Sequence, residues 1–259
     1  MYGLLNIMAG GQGAAPVPPT PTLNWFYLED ASGAANTVSI KKIRNEGAPT
    51  LTIETSTNGT TWTTLGNTSL TALNINVPAG GKVYVRCNAA NWSSDSALEY
   101  NCFNTATGDF NVGGNIMSLL YGSNFDDTET TFPTGSRMYV LASLFRGNTH
   151  LVDASALELP AATLKNSCYA WMFMDCTALT TAPELDAPVL ARECYNGMFA
   201  NCSSLTEITC LAYDISAVSC TLSWVYGVSP TGTFYKGYGM SSWTTGTSGI
   251  PSGWTVIEM

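Results

Sequence analysis

Two consecutive stretches of the chain, 168–190 and 194–216, repeat one pattern of cysteine, aromatic and leucine residues. Every repeated position is offset by 26 residues. The repeated pairs are Cys168/Cys194, Tyr169/Tyr195, Met172/Met198, Phe173/Phe199, Cys176/Cys202 and Leu179/Leu205. A fixed period in the twenties is typical of a structural unit that buries its apolar face only when stacked on a copy of itself. Because cysteine is also a metal ligand, a bound metal is the competing interpretation.

A degenerate earlier copy extends the repeat over residues 138–210. Phe145 and Leu151 precede Phe173 and Leu179 by 28 residues, so this copy contains two extra residues. The period predicts a short leucine-rich-repeat solenoid. Its expected core is the repeated aromatic, leucine and cysteine set, namely Phe145, Leu151, Cys168, Phe173, Cys176, Leu179, Cys194, Phe199, Cys202 and Leu205.

The secondary structure of one copy is expected to be a short strand followed by a helix. The segment "LTTAPEL" is extended in character, and Pro188 marks a helix start after it. The apolar residues that follow lie at i, i+4, i+8, i+9 and i+12, a spacing that indicates one face of a helix. They are Leu190, Cys194, Met198, Phe199 and Cys202.

The chain contains eight cysteines, and an even number admits a disulfide framework. A tetrahedral zinc site needs close pairs such as C-x₂-C, whereas the repeated cysteines are eight residues apart within a copy. Cysteine also serves as a small, easily buried apolar residue. We therefore predict buried, metal-free thiols and no cofactor, although a disulfide between stacked copies is geometrically conceivable.

Residues 22–103 have the pattern of an Ig-like β-sandwich, with short strands and frequent turns. Asn58-Gly59 and Gly80-Gly81 each predict a hairpin. Residues 104–137 are a connector, and residues 211–259, rich in Trp, Tyr and Gly, predict short hairpins that form a β-rich C-terminal cap. The expected fold class is mainly β with an α/β repeat.

Residues 1–21 are proline-rich and contain no charged residue. They predict either a flexible leader or an anchor peptide, whose apolar contacts would come from Tyr2, Leu4, Leu5, Ile7 and Met8. The segment lacks the basic region of a secretory signal, and no apolar run reaches the length of a membrane span. A net charge of −9 argues against nucleic-acid binding, which needs basic side chains to displace counterions.

Catalytic alternatives have weak support. The single histidine, His150, could form a triad with Asp153, but it occupies the variable polar position before a repeated leucine. Glu158 and Glu184, one repeat apart, could form a carboxylate pair, and "FDDTET" at 125–130 could hold calcium but lacks the ligand spacing of a calcium loop. The sequence therefore predicts no enzyme activity.

The segment "CYAWMFMDCTALTTAPELDAPVLARECYNGMFANCSSL" resembles the BspA-type leucine-rich repeats of gut Bacteroidetes and their crAss-like phages. The segments "TLTIETSTNGTTWTTL" and "MSSWTTGTSGIPSGWTV" resemble the β-domain and the closing segment that flank such repeats. This resemblance implies surface display and binding rather than catalysis.

Few charged residues, 11%, are typical of surface proteins, and a virion protein needs no export signal. We therefore expect a virion-surface protein, either a head fibre or decoration protein or a tail-associated adhesin. Its expected partners are capsid or fibre-base proteins through the N-terminal segment, a host-surface glycan or protein, and further copies of itself, a trimer by analogy with fibres. A bacterial cell-surface adhesin is the alternative, which the retained Met1 disfavours.

Overall fold

A computed structural model describes residues 23–44, 47–96 and 98–259, and the described chain is mostly β-structure. The first eight strands are β1 (Tyr27–Asp30), β2 (Asn36–Ile43), β3 (Thr52–Ser56), β4 (Thr63–Asn67), β5 (Leu73–Val77), β6 (Lys82–Arg86), β7 (Tyr100–Ala106) and β8 (Phe110–Asn115). They are followed by the helix α1 (Ser118–Tyr121), a 3₁₀ turn (Gly122–Asn124), β9 (Leu151–Glu158), β10 (Glu207–Cys210), β11 (Thr233–Lys236) and β12 (Thr255–Glu258).

The first eight strands and β9 form two sheets that share one core. One sheet has the order β4-β3-β6-β1-β8-β9 and the other β5-β2-β7. Strand β6 shows the expected alternation, since Val83 and Val85 are buried while Lys82 and Tyr84 are half-exposed. The prediction of a β-rich fold is confirmed, and β8 comes from the segment that was expected to be a connector.

One of the two predicted hairpins forms. Asn58-Gly59 joins the antiparallel strands β3 and β4. The side chain of Asn58 accepts hydrogen bonds from the backbone N–H groups of Thr60 and Thr61 at 3.0 and 2.8 Å, and Gly59 has a φ of +70°. Both features are typical of the tight turns that asparagine and glycine favour.

The second hairpin prediction, at Gly80-Gly81, is wrong. Strand β5 pairs with β2, whereas β6 pairs with β1 and β3, so the chain crosses there from one sheet to the other. Asp30 at the end of β1 holds this crossing, because its carboxylate accepts a 2.7 Å hydrogen bond from the Gly80 N–H. Ile75 and Val83 thus enter the same core from opposite sheets.

A parallel ladder continues from the six-stranded sheet to the C-terminus. Strand β8 pairs with β9, and isolated parallel bridges join Asp153 to Thr181 and Thr181 to Glu207. Strand β10 then pairs with β11, and β11 with β12, all parallel. The C-terminal hairpins predicted for 211–259 are therefore wrong: this segment adds further layers to the stack, because Phe234 and Trp224 extend the buried column of the preceding copies.

The helix predicted in each copy is also wrong. Residues 138–147, 166–175, 192–201 and 218–227 are successions of tight turns, which we call turn ribbons. Within a ribbon, successive backbone N–H groups alternate between acceptors in the next copy and acceptors in the same ribbon. The N–H groups of Tyr169 and Phe173 donate to the carbonyls of Cys194 and Met198 in the next copy, while the N–H of Met172 donates back to the carbonyl of Tyr169.

Backbone geometry explains why a helix does not form. Every fourth residue of a ribbon has a positive φ, which a right-handed helix excludes. These residues are Tyr139, Ser143 and Gly147; Ser167, Trp171 and Asp175; Glu193, Gly197 and Asn201; and Ser219, Ser223 and Gly227. The apolar residues recur every four positions, as this geometry requires. On an α-helix, residues spaced by four shift by about 40° per step, so three steps would move the side chain about 120° away from the first apolar residue and off the apolar face.

An aromatic column joins the N-terminal sheets to the stack. The ring of Phe103 on β7 stacks on Phe145 with 5.6 Å between centroids, Phe145 on Phe173 at 5.3 Å, and Phe173 on Phe199 at 5.6 Å. Trp224 follows at 6.0 Å in a tilted arrangement. All ten residues expected in the repeat core are fully buried. Since Phe103 begins the column, the sheets and the stack share a continuous core.

Candidate binding groove on the turn face

The positive-φ residues recur at equivalent positions of successive ribbons and form three columns along the stack. The middle column contains Ser143, Trp171, Gly197 and Ser223, one from each copy. Trp171 is the one large side chain in this column. Because the next copy has glycine at the equivalent position, the regular stacking of side chains is interrupted there.

Trp171 is held between two neighbouring copies. Its ring lies nearly parallel to that of Tyr139, with 6.2 Å between centroids and 11° between planes. On the other side it lies against Gly197, where a Cβ would be only 2.5 Å from the Trp171 Cδ1 atom. Gly197 also has a φ of +59°. Glycine at 197 therefore satisfies both the backbone conformation and the space required by the indole ring.

A groove of about 360 Å³ opens beside the Trp171 ring. Tyr226, which is 57% exposed, lines it from the last ribbon. The side chains that line this Trp171 groove are Trp171, Met174, Asn196, Ala200, Asn201, Ser223 and Tyr226. They comprise two aromatic rings, a thioether, a methyl group, two amides and a serine hydroxyl group, and none of them is charged.

The side chain of Asn201 is oriented by a neighbouring copy. Its Nδ2 donates a 2.8 Å hydrogen bond to the Oδ1 of Asp175, which occupies the equivalent position one copy earlier. The backbone N–H of Asn201 donates to the carbonyl of Tyr226 at 2.6 Å. These contacts fix the amide and connect the Asn201 backbone directly to the residue that lines the groove from the last ribbon.

A second opening lies in the N-terminal half, between the free edges of the two sheets. It has a volume of about 420 Å³, and half of its lining residues carry hydroxyl side chains from β3, β4 and their hairpin, among them Thr55, Thr61 and Thr63. No aromatic side chain lines it.

The repeated cysteines lie inside the stack, and two of them make periodic hydrogen bonds. The thiol of Cys176 donates to the carbonyl of Phe145 at 3.1 Å, and that of Cys202 to the carbonyl of Phe173 at 3.0 Å. Burial raises the pKa of the Cys168 thiol to about 12 and also raises the pKa values of Cys194 and Cys202. The thiols are therefore neutral near pH 7 and poor nucleophiles.

Asn148 performs the same function in the degenerate copy, a role that the sequence analysis missed. It lies 28 residues before Cys176 and is fully buried. Its Nδ2 donates to the carbonyl of Phe103 at 3.0 Å, as Cys176 donates to that of Phe145. The signal was present in the spacing, because Asn148 aligns with the second cysteine of each later copy.

The single histidine, His150, pairs with a different aspartate from the one considered for a triad. The Nδ1 of His150 lies 2.9 Å from the Oδ1 of Asp109 on the surface, whereas Asp153 accepts a hydrogen bond from the N–H of Ser155. The pKa of Glu184 is raised by partial desolvation and by the nearby carboxylate of Asp186.

In the acidic segment 125–130, carboxylates of Asp126 and Asp127 cap backbone N–H groups of Thr128 and Asn24. Within 23–44, 47–96 and 98–259, no group of three or more His, Cys, Asp or Glu residues could hold a metal ion. In the same ranges, no helix has the length and apolar character needed to cross a membrane.

The proposed anchor residues Tyr2, Leu4, Leu5, Ile7 and Met8 lie outside the described residues. Comparisons of the chain with protein-family models, with curated proteins and with solved structures each find no match.

Proposed function

We propose that this chain is a non-enzymatic surface protein of a phage particle, either a head fibre or decoration protein or a tail-associated adhesin, that binds host-surface or gut ligands. The observation that carries the proposal is the continuous column from Phe103 through Phe145 and Phe173 to Trp224. Together with the hydrogen bonds between copies, it makes a rigid platform. Rigid elements present a binding surface at low entropic cost.

The proposal includes the fold family. Strands β1–β8 form an Ig-like sandwich, and residues 138–210 form BspA-type leucine-rich repeats in which a turn ribbon replaces the helix. Support comes from the common core of the two sheets and from the period that relates the parallel ladder to the ribbons. Buried residues repeat along this period, while outward positions such as Trp171 and Ser223 differ between copies. Conserved packing with variable outward positions is the usual arrangement of a repeat binding surface.

In this proposal residues 1–21 attach the protein to capsid or fibre-base proteins. The support is compositional, since the segment is uncharged and rich in proline. We expect full-length protein to be incorporated into particles and a variant lacking residues 2–21 to be excluded. Full-length Trp171→Ala is the matched control and should be incorporated normally. Equal incorporation of the deletion variant would contradict the anchor. A homotrimer, proposed by analogy with fibres, is tested by light scattering of the full chain.

The experiment that tests the function is immunogold labelling of purified particles of a phage that encodes the chain. An antibody raised against the protein should label particles at regular positions, and a preimmune serum should not. Label on the bacterial envelope with bare particles would contradict the virion function and would favour the alternative of a cell-surface adhesin.

A further inference from the structure

The interruption of the repeat at Gly197 is what creates the Trp171 groove. We propose that this groove binds a neutral glycan and that Trp171 is its stacking wall. The inference rests on the proposed display function and identifies the class of ligand and the residues that recognise it.

Aromatic side chains line the groove from two ribbons. Trp171 and Tyr226 come from ribbons two copies apart, and both line the same groove. Aromatic rings of this kind can pack against the apolar C–H face of a pyranose ring. Tyr139 stacks on one face of the Trp171 ring, and the buried Gly197 backbone lies against the Cδ1 and Nε1 atoms. The part of the half-exposed indole that lines the groove is available to the C–H face of a sugar.

The polar groups of the groove suit hydroxyl groups. Asn196, Asn201 and Ser223 supply side-chain donors and acceptors to the lining of the groove. The Nδ2 of Asn201 is bonded to Asp175 and its Oδ1 lies beside Gly227, so this amide has a fixed orientation where it lines the groove. A sugar hydroxyl donates and accepts at once, so it can satisfy both an amide and a neighbouring hydroxyl group. A groove of this size that combines aromatic walls with a few polar groups is typical of small-ligand sites.

Charge selects the class of glycan. The lining side chains include no lysine or arginine, and the protein as a whole has a net charge of −9. A sialylated or sulfated sugar would enter without a cation to pair with, and burying an unpaired charge is costly. Neutral hexose and N-acetylhexosamine chains meet no such penalty.

The test uses the full-length protein on a printed array that carries neutral hexose and N-acetylhexosamine oligosaccharides beside sialylated and sulfated ones. We expect binding to a subset of the neutral glycans. For the glycan that binds most strongly, Trp171→Ala should raise the dissociation constant, measured by calorimetry, by about tenfold or more. The reason is that the substitution removes the stacking wall. Trp171→Phe should retain most of the affinity. Tyr238→Ala, which removes an aromatic side chain that is 85% exposed outside the groove, is the matched control and should bind as wild type does.

Binding to no glycan, binding only to the anionic glycans, or unchanged affinity in Trp171→Ala would each overturn the inference. Circular dichroism and a melting curve for every variant ensure that a loss of binding is not a loss of folding, and Tyr226→Ala gives an independent test at the other wall. The two proposals fail separately. Labelled particles without glycan binding would remove the glycan site alone, whereas glycan binding by a protein absent from particles would remove the virion function alone.

Discussion

The thiol of Cys202 donates a 3.0 Å hydrogen bond to the backbone carbonyl of Phe173 in the preceding copy. The same carbonyl also accepts the N–H of Cys176. The second repeated cysteine therefore does more than fill space, because it ties the end of one turn ribbon to the middle of the previous one. Cysteine is small enough to lie beneath the aromatic column and still supplies a weak donor.

Replacing Asn148 by alanine should destabilise the protein. The buried amide donates to the carbonyl of Phe103 and accepts from the N–H of His150, and its loss leaves buried groups unpaired. We expect a decrease in the free energy of unfolding of about 1–3 kcal/mol, measured by urea denaturation. Asn148→Cys introduces the residue of the later copies and should recover part of this loss. A cysteine variant no more stable than the alanine variant would contradict the equivalence of the two positions.

Replacing Phe173 by alanine should leave a cavity in the aromatic column. Its ring stacks between Phe145 and Phe199 and is fully buried, so we expect a loss of about 3–5 kcal/mol in the free energy of unfolding. Chemical denaturation followed by tryptophan fluorescence measures it. The control, Tyr238→Ala, should change stability little, because that ring is exposed. Melting of Phe173→Ala like the wild type would mean that the column is wrongly placed.

The four repeated thiols should be unreactive in the native protein. Cys168, Cys176, Cys194 and Cys202 are fully buried, and burial raises their pKa values. Iodoacetamide at pH 8 should therefore modify none of them until urea unfolds the chain, as read by peptide mass spectrometry. Elemental analysis should find no stoichiometric zinc. Rapid native alkylation, or one zinc per chain, would refute the buried-thiol interpretation.

Stability should decrease in acid through Asp30. Its carboxylate accepts hydrogen bonds from the Gly80 N–H and from Ser32, which lower its pKa to about 2. An aspartate in an unfolded chain has a pKa of about 3.9. Because the folded value is the lower one, the stabilisation is present above about pH 4 and is lost as the pH falls toward 2. Melting temperatures of wild type should decrease over this window, and the decrease should be smaller in Asp30→Asn. Parallel curves would show that other carboxylates are responsible.

Substitution of Gly197 should reveal its contact with Trp171. Alanine there adopts an unfavourable positive φ, at a cost of about 1–2 kcal/mol, and its Cβ meets the indole ring. In a Trp171→Ala background only the backbone cost should persist. A double-mutant cycle from urea denaturation measures the difference. Equal costs in the two backgrounds would show that the ring does not press on Gly197.

The period of the sequence predicted the repeat correctly, but the helix predicted within each copy was wrong. Cys194, Met198 and Cys202 are spaced by four, which resembles a helical face over a short window. Two features of the sequence distinguish a turn ribbon from an α-helix. The apolar residues recur strictly every four positions, and residues such as Gly197 and Asn201 tolerate a positive φ. The groove was also readable in part, since Trp171 aligns with Gly197, but its wall at Tyr226 comes from a segment that was expected to be a cap.

By itself, the sequence determined the ten apolar core residues of the repeat and the period at which they return, because a repeated apolar position marks a site that each copy buries in the same way. It also predicted the hairpin at Asn58-Gly59, where the local backbone preference and the strand pairing agree. Only the tertiary structure decided which strands pair. Strands β5 and β6 lie in different sheets, and β11 and β12 belong to the parallel ladder. Local sequence does not specify these pairings, because the paired strands lie far apart in sequence. The tertiary structure also decided that a turn ribbon replaces the helix, since half of the ribbon's amides find acceptors only in the next copy.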